Sequence, residues 1–90
     1  MNIDLLNSVS RENTAKVSFR LLDRMQDFPA HEQVAALSCL FYLTTKTLKL
    51  SPQQLLDTAQ NITAFDRLFK DEEDRTFDGV QAYIAGELRG

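Results

Sequence analysis

The 90-residue sequence holds one cysteine, two prolines, three glycines and no tryptophan. Cys39 has no partner within the chain, which excludes a disulfide scaffold. Hairpin signals are missing too: no Asn-Gly or Gly-Gly pair occurs, and Asp78-Gly79 lacks flanking alternation. The longest dense apolar stretch, Val34 to Leu43, is about half of the ~20 residues that span a bilayer. Asp4 interrupts the N-terminal region, so no secretory signal is expected. An excess of positive charge is also absent. With 10 Lys and Arg against 13 Asp and Glu, the net charge of −3 argues against a general binder of phosphate backbones. These absences leave a soluble, cytoplasmic, single-domain protein spanning residues 1–90 as the expectation.

What is present favours helix. There are 13 Leu and 8 Ala against 4 Val and 3 Ile, a ratio that favours unbranched helix formers. No stretch alternates apolar and polar residues for long enough to form a half-buried strand. The expected fold is an all-α, compact bundle of four to five short helices.

The first long helix is expected from about Ser10 to Asp27. Ala15, Phe19, Leu22 and Met25 fall on one of its faces, and charges of alternating sign, Arg11 among them, cover the rest as a solvated surface. Ile3, Leu5, Leu6 and Val9 form one further turn, which either joins this helix or bends away at Ser8–Ser10. Phe28-Pro29 then ends the helix, because a residue before proline is biased away from helical geometry. Pro29 and Glu32 suit the start of a second helix. Its Val34–Leu43 stretch is apolar on every side, which predicts a central helix with Leu37, Cys39 or Leu40, and Phe41 buried. A polar turn from Thr44 is expected to close it. The next start is the sharpest local feature: Ser51 as N-cap, Pro52 at N1 and Gln54 at N3 form a capping box, with Leu50 and Leu55 at the staple positions. Asn61-Ile62-Thr63 is a candidate interruption. Phe77, Val80, Tyr83, Ile84 and Leu88 form the closing apolar stripe.

Catalysis has little support. His31 and Cys39 lie eight residues apart on one expected helix, roughly 12 Å along its axis, whereas a nucleophile and its base need to be about 3 Å apart. One His and one Cys fall short of a structural zinc site. The acidic run lacks the spaced ligands of a calcium loop, and the three glycines form no phosphate cradle. No enzyme activity, cofactor or metal is therefore expected.

Two binding modes remain. Helices of about 30–49 and 52–66 form a helix-turn-helix-like unit whose second helix carries Gln53, Gln54, Gln60 and Asn61, amides able to pair with adenine. However, no Lys or Arg lies between Leu50 and Asp66 to hold phosphates, so nucleic acid is disfavoured. The other mode is a protein contact. Asp71, Glu72, Glu73 and Asp74 repel one another and gain from a basic partner surface, which makes them the candidate partner-binding residues. A homodimer is compatible with the same composition.

The phrases Pro29-Ala30-His31-Glu32-Gln33-Val34-Ala35-Ala36-Leu37, Ser51-Pro52-Gln53-Gln54-Leu55-Leu56 and Val80-Gln81-Ala82-Tyr83-Ile84 resemble small uncharacterised early-region accessory proteins of lambdoid temperate enterobacterial phages. The resemblance covers most of the chain and assigns no catalytic residue. It implies a small accessory protein in the host cytoplasm that binds host or phage machinery.

Overall fold

The computed structural model describes residues 3–68 and 76–88, and side chains over 4–64 and 77–88. Every regular element among them is an α-helix: α1 Ile3–Asn7, α2 Arg11–Met25, α3 Ala30–Leu48, α4 Pro52–Leu68 and α5 Thr76–Glu87. The all-α bundle expected from composition is the fold.

Local chemistry sets the boundaries. The bend between α1 and α2 falls at Ser8–Ser10: the Ser8 hydroxyl donates to the carbonyls of Asp4 and Leu5. Ser10 caps α2 by accepting the Asn13 N–H at 3.2 Å. The Pro29 carbonyl accepts the Glu32 and Gln33 N–H groups at 3.0 Å each and so opens α3. Ser51 accepts the Gln54 N–H at 3.3 Å, as the capping box requires. Asn61-Ile62-Thr63 does not interrupt α4, within which the Thr63 hydroxyl bonds back to the Ala59 carbonyl at 2.9 Å.

Helix α3 matches the helix of about 30–49 expected for the helix-turn-helix-like unit, and the polar turn expected from Thr44 is part of it. Instead of unwinding at Thr44 it continues to Leu48, with the Thr45 hydroxyl donating to the Tyr42 carbonyl at 2.8 Å. It ends at Lys49, which adopts the left-handed conformation (φ 56°, ψ 44°). The N–H groups of Lys49 and Leu50 both reach the Thr45 carbonyl.

Among the described residues the buried apolar side chains are Ala15, Leu22 and Val80, with Phe19, Met25, Phe77, Tyr83 and Leu88 packed around them. All of these come from α2, α5 and the residue following α5. Gly79 permits the approach: a Cβ there would lie 3.2 Å from Phe19 Cζ, tighter than ordinary packing. The Phe19 and Tyr83 rings meet edge to face at 6.1 Å. Helix α4 packs on α5.

Polar ties hold the remaining helices. Arg11 Nε donates to the Ile62 carbonyl at 3.0 Å, and its guanidinium lies 5.8 Å from the Phe77 ring centroid. Arg11 thus bridges α2, α4 and α5 rather than belonging to a solvated face. The Thr58 hydroxyl donates to Asn7 Oδ1 at 3.0 Å and pins α1 to α4.

The expected central helix is not central. Leu37 is 39% exposed, Leu40 59% exposed and Cys39 exposed, while Phe41 is half-buried. The two buried residues of α3 are polar, Gln33 and Thr45. Geometry gives the reason. A helix covered on both sides requires three layers with axes 8–10 Å apart, hence an envelope thicker than roughly 20 Å. The molecule measures 36 × 36 × 18 Å, which accommodates two layers. Helix α3 therefore lies at the surface. A cleft of about 200 Å³, lined by Leu21, Leu22, Met25, Leu37, Val80 and Ile84, separates its inner side from the α2–α5 pair.

Two outcomes check this arrangement. Leu22→Ala should cost about 2–5 kcal/mol, whereas Leu37→Ala should cost clearly less because the leucine is already partly solvated; equal losses in urea denaturation would contradict the placement of α3. Ser51→Ala should cost about 0.5–2 kcal/mol through loss of the cap, measured by the same titration.

Candidate functional site

The acidic group Asp71, Glu72, Glu73 and Asp74 lies outside the described residues. The helix-turn-helix-like unit is α3, the turn Lys49-Leu50-Ser51 and α4. Its amides Gln53, Gln54, Gln60 and Asn61 are all exposed. Gln53 Nε2 donates to Asp57 Oδ1 at 2.9 Å, so one of the four already engages a carboxylate. His31 and Cys39 are both exposed on α3, one near its start and the other at its midpoint.

The most extensive chemically uniform surface is the outward side of α3. Successive residues advance about 100° around a helix. Gln33, Phe41 and Thr45 are the least exposed of the helix together with Ala30, and they mark the inward side. Gln33 fixes that orientation: its Nε2 donates to the Phe28 carbonyl at 2.8 Å, and its Oε1 accepts from Gln26 Nε2 at 3.2 Å. Diametrically opposite lies the stripe Glu32, Cys39 and Lys46 at seven-residue spacing, flanked by Ala35, Ala36, Tyr42 and Leu43. Tyr42 is 60% and Leu43 52% exposed. Leu40, though exposed, lies about 100° around the helix from the stripe, on the flank it shares with Gln33. The face is thus apolar along its middle, with one acid near its start and one base near its end. Beside its N-terminal end, Met25, Phe28, Ala35 and Ala36 line a shallow groove.

The α3 periodicity contains this stripe, but nothing in a helix that is apolar all round shows which side faces out. Gln33 carries that information, because a polar side chain satisfied by two partners turns inward. Nor was the exposure of Cys39 foreseen, since an isolated cysteine is most often a small buried hydrophobe.

The strongest electrostatic perturbation lies elsewhere, on the α2–α5 contact. The Tyr83 hydroxyl donates to Asp23 Oδ1 at 2.7 Å. That hydrogen bond, then the lost hydration, then the charges of Asp23 and Glu87 push its pKa from 10.0 up to about 12. The phenol is a latch between the two helices, not a reactive group at neutral pH.

No family model, curated protein or solved structure matches the chain. Among the described residues no helix is long and apolar enough to cross a membrane.

Because the folded-state pKa of Tyr83 is raised, the latch stabilises the fold fully below pH 10 and loses that contribution as the pH climbs toward 12. In a Tyr42→Phe background Tyr83 is the remaining tyrosine. Its phenolate absorbance should appear near pH 12, and adding Asp23→Asn should return the midpoint toward 10. An unshifted midpoint in the Asp23→Asn variant would remove the latch.

Proposed function

We propose that the protein is a non-enzymatic accessory factor that acts by protein–protein contact, and that the outward face of α3 makes the working contact. The observation that carries this reading is the solvent exposure of Tyr42 and Leu43 beside Cys39 on the outward side of one helix, in a chain with few buried apolar side chains among those described. A small soluble domain gains stability by hiding such residues, and contiguous exposed apolar surface marks interaction sites. The resemblance to early-region phage proteins supports host or phage machinery as the setting. The acidic residues Asp71, Glu72, Glu73 and Asp74 supply a second contact in this reading, one that favours a basic surface and weakens with salt.

A DNA-binding regulator is the second reading, supported by the three-residue turn between α3 and α4 and by the exposed amides of α4. A gel shift against random duplex at ~50 mM salt separates the two, since a regulator retains non-specific binding there.

The interaction reading is tested by a photoreactive amino acid placed at Leu43 and, separately, at Gln60. In cells, the Leu43 position should yield a discrete protein adduct and the Gln60 position none. Absence of any adduct at Leu43 would overturn the assignment of this face.

A further inference from the structure

The α3 face is complementary to itself. We infer that its occupant is a second copy of this chain, docked antiparallel through α3 about a two-fold axis passing at Cys39. This deepens the proposed function by naming the partner of the same face, and it rests on that reading.

Register is the first support. Cys39 is the midpoint of the 19-residue α3. Glu32 precedes it by seven residues and Lys46 follows it by seven, so both lie on the outward stripe about 10.5 Å from it along the axis. A two-fold axis at Cys39 places Glu32 against Lys46 of the second copy, and the symmetry makes this pair twice. The same operation keeps each flank of the stripe against itself, so Ala35 lies beside Tyr42 of the second copy and Ala36 beside Leu43. A small residue therefore meets a large one on each flank, which lets two helices approach without void or clash. Parallel pairing does the opposite: Glu32 meets Glu32, Lys46 meets Lys46, and Tyr42 meets Leu43. Like charges face each other and bulky groups coincide. The sequence of one helix therefore selects one orientation.

Exposure is the second support. Cys39, Tyr42 and Leu43 on this side of α3 are all exposed, and a second copy laid on them removes apolar surface from water.

The thiols supply a direct probe. The purified full chain is first measured by sedimentation equilibrium across the micromolar range, where the mass should be twice 10.3 kDa. Mild oxidation should then join the copies through Cys39. In a Cys39→Ser background, Glu32→Cys alone should not cross-link, because the two sites are about 21 Å apart along the paired helices. Glu32→Cys together with Lys46→Cys should cross-link readily. Glu32→Lys should weaken the dimer roughly tenfold, and combining it with Lys46→Glu should restore it.

Efficient cross-linking by Glu32→Cys alone would overturn the antiparallel register. A monomer at every concentration would overturn self-pairing. If the Leu43 photoadduct then contains a different protein, the interaction face stands and only its occupant changes. If there is no adduct either, both readings fall.

Discussion

The contact between α2 and α5 is the constraint from which the rest of the structure follows. Leu22 and Val80 meet there, Gly79 leaves room for the Phe19 ring, and Tyr83 hydrogen-bonds to Asp23 across the seam. These two helices are separated in sequence by α3 and α4, so their pairing closes a long loop and carries its entropic cost. Few apolar side chains offset that cost among the described residues. Directional bonds therefore fix the geometry: Arg11 to the Ile62 carbonyl, Thr58 to Asn7, and Gln33 to the Phe28 carbonyl. Each joins elements that apolar packing alone leaves loosely oriented.

Among the described residues, α2 and α5 are committed to each other and α4 is laid on α5, which leaves the outer side of α3 uncovered by them. Its apolar residues point in all directions, and one side at most can face the chain. The polar residue Gln33 decides which, because its amide is satisfied only when turned toward the α2–α3 turn. The outward side is thus a consequence of a hydrogen-bond requirement at one buried side chain. A pattern read as a core helix becomes a surface helix when the rest of the chain is too small to enclose it.

This shows where sequence reasoning succeeds and where it stops. Helix starts were legible because caps are local: Ser51 and Gln54 are three residues apart, and Pro29 acts on its immediate neighbours. The apolar face of α2 was legible because polar residues on its other side define it. The direction of α3 was not, since an apolar surface without a polar counterpart gives no phase. Arg11 was misassigned for a related reason: a long cationic side chain at a helix start is usually solvated, and only the tertiary position of Ile62 and Phe77 makes it a bridge. The α3 stripe was present in the sequence as a seven-residue spacing, yet its meaning depended on knowing that this side faces solvent.

In the proposed dimer, folding and association are coupled. If the α3 faces pair, the free energy of pairing adds to the stability of each chain by mass action, so stability depends on concentration. The intramolecular core sets how well α3 is presented, because Gln33 is oriented through Gln26 and Phe28 at the end of α2. Loosening that turn lets α3 rotate about its axis, and a rotation of one residue's increment, about 100°, carries Cys39 well off the seam. In the proposed dimer, a substitution at Gln33 therefore acts on pairing without touching the second copy. The buried amide that is hardest to read from sequence is the one that couples the small core to the exposed face.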